Sequence, residues 1–413
     1  MQSAPSADAQ PNEGRDAVVT ALEGVKVIDV GQFYFAPYCT MLLARLGAEV
    51  IKIEAPEGDP YRRLPTVDGD GTSIQFRFLN SGKRTIRLDL KTPAGQQVLR
   101  DLAAQADVLV QNLSPGAMDR FGLGYAKLSK INPRLIMASG TGFGSFGPYA
   151  GEPAMDLTIQ ARSAVMSTTG FEDGPPIRTG PSFVDFMAAT HLLAGVLAAL
   201  YQRTATGRGQ HVEVSLQDAV LPALTSNIAG LLAAGEATPE RTGNRHGGLA
   251  VAPYNAYPTV DGWITVLCPT DKHWHRLCEL MDDPATADSR FADMTGRCKF
   301  IDDVDEIVGR WTSTREKGDL TELLKAAKIP CAPVVTLPEL LVDPHVKERA
   351  ILREVTDERG TFTTLGSPLL LSDSPIVEPR RAGGLGEHTA EVLRDELGMT
   401  DSEIEQLRQD GVI

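Results

Sequence analysis

A chain of 413 residues exceeds what one ordinary hydrophobic core accommodates, so two or three domains are expected. With 42% apolar and 23% charged residues, and no run near the roughly 20 continuous apolar residues of a bilayer span, the composition is that of a globular protein without a membrane segment. A formal charge of −14 repels nucleic acid and anionic lipid, so an anionic ligand has to be held by a local set of donors.

The opening stretch, "MQSAPSADAQPNEGRDAVVT", lacks a basic start followed by an apolar run, so residues 1–21 read as a flexible tail and not as a secretion signal. Next, "VKVIDV" (Val25 to Val30) reads as a strand. "PYCTMLLARLG" reads as a helix with Pro37 at its start and Gly47 just past its end, and "VIKIE" as a second strand. The alternation continues with strand "TIRLDL", a helix opened by Thr92 and Pro93, strand "DVLVQ", short helical pieces and strand "RLIMAS". This βαβ texture predicts an α/β fold with a Rossmann-like parallel sheet covered by helices. A long helix is expected from about Phe186 to Tyr201, with Ala189, Leu193, Val196, Leu197 and Leu200 on one face.

Near residue 225 the texture changes. "APYNAYPTVDGWITVLC" pairs two apolar runs across Asp261-Gly262, and helices follow at "KHWHRLCELM", "DDVDEIVGRW" and "DLTELLKAAK", the last with Asp319 as a cap. After "IPCAPVV" come an apolar hairpin around "TFTTLGSPLLL" and helices at "TAEVLRDELG" and "TDSEIEQLRQ", where Thr400 and Glu403 match a capping box. The expected organisation is a large domain over residues 22–224, a smaller α+β domain over 225–334, and a segment over 335–413 that returns to the large domain. Five cysteines (Cys39, Cys268, Cys278, Cys298, Cys331), an odd number without paired spacing, suit free thiols in the cytoplasm.

Among candidate motifs, "GFGSFG" (Gly142 to Gly147) matches GxGxxG after a strand, but "PYAGEP" follows it where a dinucleotide site needs a helix. There is no GxxxxGK[ST] and no GxSxG. In "HWHRLC", His275 and Cys278 share a helix face while His273 does not, and no fourth ligand lies close in sequence, so no metal is expected. That leaves Asp185 in "GPSFVDFMAATH". An aspartate ahead of a long apolar helix suits an N-cap, where backbone N–H groups and the dipole keep it ionised. An ionised carboxylate is also a nucleophile that needs no base. Both roles stay open on the residues alone.

The stretches "LEGVKVIDV", "NSGKRTIRLDLKTPAG", "LVQNLSPGAMDRFGLGY", "NPRLIMASGTGFG", "TGRGQHVEVSLQDAVL", "DPHVKERAIL" and "LGEHTAEVL" together resemble the family III coenzyme A transferases, over about residues 22–413. That group includes formyl-CoA transferase, carnitine CoA-transferase and, as a divergent branch, α-methylacyl-CoA racemase. The resemblance implies that Asp185 is the nucleophile of a ping-pong exchange between an acyl-CoA donor and a carboxylic acid acceptor, with an aspartyl anhydride and an aspartyl-CoA thioester as intermediates. It implies coenzyme A contacts at Leu88, Lys91, Asn112, Leu113, Ala117 and Arg120, and an interlocked homodimer. "NLSPGAMDR" follows a strand and precedes a short helix, where ligands meet the carboxyl ends of a parallel sheet, and Arg120 one turn along can reach a phosphate.

The departures matter as much. Formyl-CoA transferase has a glutamine in the loop after strand one, where this chain has Tyr34, with Gln32 two residues earlier; either can serve an acyl oxyanion. An arginine after strand two and a lysine before the second active-site acid are replaced by Ala55 and Pro153, and a four-glycine run is reduced to Gly247 and Gly248. Asp156 takes the place of the second acid, or caps the helix that follows. The racemase branch needs a histidine just before Asp156, and here it is Met155. An epimerase, or a coenzyme A-binding protein without turnover, are the alternatives. Phe33, Tyr34 and Phe35 suggest an aromatic pocket lining or a piece of core.

Overall fold

The computed structural model describes residues 19–65, 72–235 and 239–413. Up to residue 18 the expected tail lies outside the described residues; its last residues are tied down, since Ala21 N donates to Ser374 Oγ at 2.8 Å. Two compact units emerge, one from Met1–Gly140, Ala189–Glu213 and Ala350–Ile413, the other from Thr141–Ala188 and Val214–Arg349. This division differs from the expected boundaries: residues 141–188 and 214–224 go with the second unit, and the return to the first begins at Ala350. Strand–helix alternation marks elements, but it does not say which core a connecting segment joins.

In the first unit β1 (Lys26–Asp29), α1 (Phe35–Arg45), β2 (Glu49–Glu54), α2 (Ile74–Asn80), β3 (Arg84–Arg87), α3 (Pro93–Gln105), β4 (Val108–Gln111), α4 (Ala117–Arg120), α5 (Tyr125–Ile131) and β5 (Ile136–Thr141) alternate as read. With β6 (His211–Ser215) at one edge, the sheet order is β3-β2-β1-β4-β5-β6. The pairs β1–β2, β1–β4, β2–β3 and β4–β5 are parallel, with Val27 opposite Val50, Ile28 opposite Leu109, Ile53 opposite Ile86 and Leu109 opposite Met137. Parallel strands need covered faces, and these strands are accordingly apolar and buried. Ile28, Ile53, Ile86 and Leu109 join Leu99 of α3 in one core. The C-terminal helices Thr389–Leu397 and Asp401–Gln409 close that core with Val392, Leu393 and Ile404, and Asp89 N donates to Val412 O at 2.8 Å. The capping box at Thr400 and Glu403 is formed.

The second unit contains α6 (Asp156–Arg162) and the start of α7 (Phe183–Thr206). It also holds an antiparallel sheet of β7 (Tyr254–Thr259), β8 (Gly262–Leu267) and β9 (Cys331–Pro333), packed by helices Asp271–Met281, Ile301–Thr312 and Lys317–Ala326 around Trp274, Phe291 and Val308. Thr259 pairs with Gly262, so the hairpin turn is Val260-Asp261, one residue earlier than read. Asp319 is not a cap. It lies inside the first turn, and Asp261 Oδ1 accepts from Lys317 N at 2.7 Å instead. The C-terminal hairpin is β10 (Leu352–Asp357) with β11 (Gly360–Leu365); the apolar "PLLL" beyond it is not strand, and Leu370 and Leu371 are exposed.

α7, 24 residues long with an 18-residue stretch of mean hydropathy 1.8, is long and apolar enough by length and composition to cross a membrane. Core helices share that property, and Val184, Ala188, Ala189, Leu192, Val196 and Ala199 of α7 are buried within the protein.

Candidate active site

The strand order reverses between β1 and β4, so the loops leaving their carboxyl ends diverge and open a crevice, the usual ligand position in an open α/β sheet. Tyr34 and Asn112 sit on those two loops. Asn112 Oδ1 accepts from Gln32 N at 2.8 Å, and its Nδ2 donates to Gln32 O at 2.9 Å. Both ends of the amide are engaged by one backbone unit, so Asn112 sets the position of the β1 loop. In that loop Phe33 takes a φ of +62°, a costly conformation for a bulky residue that persists only when its surroundings fix it. The Phe33 and Tyr34 rings meet Tyr61 edge-on at 5.3 and 4.6 Å between centroids. Phe35 is different: it is core, its ring filling the space that a Cβ on Gly140 would need.

Buried charges support this loop from below. Asp29 Oδ1 accepts from Gly31 N at 2.8 Å, while Oδ2 accepts from Thr40 Oγ1 at 2.7 Å and from Lys83 Nζ at 2.8 Å. Lys83 Nζ also lies 2.9 Å from Asn80 Oδ1 and 3.0 Å from Pro37 O. Lys52 Nζ donates to Gly31 O at 2.8 Å and pairs with Asp59 at 3.2 Å. All three ionic side chains on this central path, Asp29, Lys52 and Lys83, are fully buried. Burial opposes the Asp29 charge, yet the ammonium groups of Lys83 and Lys52 hold its carboxyl below the ordinary value. Burial pushes Lys83 down to about 8. Gly31 is required here: a Cβ would lie 2.4 Å from Ala36 Cβ and 2.8 Å from Asp29 Oδ1.

The second unit holds the two aspartates. α7 begins at Phe183, so Asp185 lies in its first turn and is not its N-cap. The cap acceptor comes from Asp156, at the start of α6, whose Oδ2 accepts from Val184 N at 3.1 Å. Asp156 Oδ1 accepts from Gln160 Nε2 at 2.6 Å, and Gln160 Oε1 in turn accepts from Thr179 N at 2.9 Å. A chain of neutral donors thus fixes Asp156 against the incoming backbone and satisfies one of the orphan N–H groups of α7. Asp185 is left bare: among the described residues no hydrogen bond reaches its carboxyl group. Burial, and secondarily the negative charge of Asp156, push that carboxyl up to about 7. The expectation that the helix start would keep it ionised is therefore reversed, because burial and the neighbouring Asp156 charge outweigh the helix start.

The remaining expected contacts belong to the first unit. Leu88, just beyond β3, is wholly buried in the core and gives its N–H to Glu54 O at 2.8 Å. Lys91 is exposed, its N–H held by Asp89 Oδ1 at 2.9 Å. Leu113 N donates to Gln111 Oε1 at 2.8 Å, Ala117 opens α4 and is buried, and exposed Arg120 folds back to Pro115 O at 3.0 Å. The sequence reading missed Gln160, Thr179, Lys52 and Lys83. One signal was available for Lys52: a lysine inside the apolar strand "VIKIE", covered on both faces, has to find a buried partner.

Over residues 22–389 the chain matches the family model described as CoA-transferase family III. It is 39% identical over 423 aligned residues to the formyl-CoA:oxalate CoA-transferase of Streptomyces coelicolor, covering 95% of this chain and 99% of that protein. To the protein of the same name from Rhodopseudomonas palustris strain BisA53 the identity is 36%, covering 95% and 97%. Among solved structures, a CaiB/BaiF family protein from Brucella suis is 32% identical with a TM-score of 0.80, covering 91% of this chain and 99% of that one.

Proposed function

The chain belongs to CoA-transferase family III and is an acyl-CoA:carboxylate CoA-transferase, and from that premise we propose that Asp185 is the nucleophile of a ping-pong exchange. The Asp185 carboxylate attacks the acyl carbon of the donor thioester, the C–S bond breaks, and the coenzyme A thiolate leaves behind a mixed aspartyl anhydride. The thiolate then attacks the Asp185 carbonyl carbon and releases the donor acid, giving an aspartyl-CoA thioester. An acceptor carboxylate repeats both steps in reverse and frees Asp185. No water enters and no proton moves, so the site needs neither a general base nor a metal. Exchange of one thioester for another is close to thermoneutral, which agrees with the lack of a phosphate-binding loop.

The supporting observation is the division of labour between the two acids. Asp156 takes the backbone hydrogen bond, and Asp185 keeps both oxygens free of donors that would blunt a nucleophile. In the same reading the Tyr34 phenol, or the Gln32 amide, donates to the developing oxyanion. Lys91 and Arg120 meet coenzyme A phosphates, while Leu88, Leu113 and Ala117 lie along the coenzyme and Asn112 positions the β1 loop. Met155 leaves the epimerase alternative without its second base. We extend the proposal to a homodimer: in the short helix Leu337–Val342, Leu337, Leu341 and Val342 are 75%, 56% and 65% exposed, an apolar face of the kind a second copy covers. The odd set of cysteines, all free, suits the cytoplasm.

Trapping tests the mechanism directly. Incubation with acyl-CoA followed by hydroxylamine should convert one carboxyl to a hydroxamate, found by mass spectrometry on the peptide containing Asp185. A hydroxamate confined to other acids contradicts the assignment. The pH profile gives a second check. Only the ionised carboxyl reacts, so kcat/KM is expected to rise through about pH 7 and level off above it. Asp156→Asn should move that rise to lower pH, though only part of the way to the ordinary aspartate value, because burial is the larger cause and persists. A profile flat from pH 5 to 9 would remove Asp185 from the role.

A further inference from the structure

We propose that Gln160 is a positioning residue of the exchange: its amide, locked by Thr179, holds the negative charge of the acid pair on Asp156 and leaves Asp185 as the acid whose single ionisation governs attack. This deepens the transferase reading above and rests on it. Gln160 is fully buried, one turn after Asp156 in α6. A backbone N–H can only donate, so the bond from Thr179 N at 2.9 Å fixes which end of the amide is oxygen; the Thr179 hydroxyl, 3.2 Å away, donates to the same Oε1. The other end is therefore Nε2, which donates to Asp156 Oδ1 at 2.6 Å, while Val184 N donates to Oδ2 at 3.1 Å. Both oxygens of Asp156 thus accept from groups that can only donate. A proton placed on Asp156 would weaken one of these bonds and find no acceptor in either partner.

The two carboxyls titrate as a linked pair, since burial and the Asp156 charge together push Asp185 up to about 7. A donor that favours the charge on one acid decides where the proton of the pair resides. Other ionisable groups on the adjoining elements are Arg162 at the end of α6 and Asp218 on the helix packed against it, Leu216–Val220; among the described residues it is the Asp156 charge that acts on Asp185.

The test follows kcat/KM for the acyl-CoA donor, which reports attack on the thioester by the free enzyme, from pH 5 to 9. Formyl-CoA, acetyl-CoA and succinyl-CoA are paired with oxalate, formate and acetate, and the fastest pair is kept. Gln160→Met removes the amide and keeps the side-chain length. It should move the proton toward Asp156 by on the order of 10- to 100-fold, as for the loss of a hydrogen bond to a charged group, so that part of the enzyme carries an ionised Asp185 well below pH 7. The fraction of plateau kcat/KM retained at pH 5 is expected to rise about threefold or more. In the Asp156→Asn background the same substitution should leave the shape of the profile unchanged, since no charge remains there to be held. A merely structural role lowers the plateau in both backgrounds and alters the shape in neither. Should Gln160→Met fail to fold, the unsubstituted protein decides: carboxyl carbon NMR with labelled aspartate, assigned through Asp156→Asn and Asp185→Asn, should show the Asp185 signal titrating near pH 7 and the Asp156 signal not. Titration near pH 7 at Asp156 instead, or a pH 5 fraction unmoved by Gln160→Met, overturns this role and leaves the transferase reading intact. Failure of every pair to exchange overturns the transferase reading, and the role of Gln160 with it.

Discussion

Asp185→Asn is expected to lower coenzyme A exchange by roughly 10³- to 10⁴-fold or more, since the amide cannot form the anhydride and no neighbouring group replaces it. The same substitution should make the folded protein more stable at neutral and alkaline pH. In the native state Asp185 holds its proton up to about 7, against an ordinary value of 3.8. Below the lower value both folded and unfolded chains carry the proton. Between the two the unfolded chain ionises while the folded one does not, so stability falls as pH rises; above the higher value the whole penalty is present. An asparagine never ionises and escapes it. The gain should be on the order of 2–4 kcal/mol at pH 8 and smaller at pH 5, read as a melting-temperature difference that widens with pH. An inactive variant whose melting temperature tracks the parent across that range would mean that the carboxyl is not held in a disfavoured state.

The second large effect lies in the first unit. Lys83→Met leaves Asp29 buried without its closest ammonium partner, and removing one member of a buried ion pair costs roughly 3–5 kcal/mol. The loss should appear in the urea midpoint followed by circular dichroism. Amide exchange in β1 and α1 would localise it, because all three tryptophans (Trp263, Trp274, Trp311) lie in the second unit and report there. Combining Lys83→Met with Asp29→Asn should recover part of the loss, since the orphaned charge is then gone. A single-variant cost under about 1 kcal/mol would show that Lys52 alone neutralises Asp29.

These two cases also show what the chain makes legible and what it hides. The β1-to-β5 alternation, the Thr92 and Thr400 caps and the start of α1 near Pro37 could be read because each depends on residues within a turn or two. The same locality misled at Asp185 and Asp319. Both are good cap residues by type, but their helices begin two residues earlier, each helped by an acid from elsewhere: Val184 N by Asp156, 28 positions back, and Lys317 N by Asp261, 56 positions back. A propensity cannot anticipate a donor answered at that range. Lys83 stayed hidden for a similar reason, since its partner Asp29 is 54 residues away. Asp185 as the proposed nucleophile was reached through resemblance; its buried position beside Asp156, which holds its carboxyl up, was not legible at all.

One acid with a proton to spare near neutrality has a practical side. Among the aspartates and glutamates of the described residues, Asp185 combines a carboxyl still half protonated at about pH 7 with freedom from hydrogen bonding. Diazo reagents esterify carboxyl groups in their protonated form, whereas ordinary surface acids are anions under those conditions. The feature proposed to tune turnover thus also supplies a chemical handle, by which a small electrophilic tag can be directed to Asp185 ahead of the other acids of the described residues.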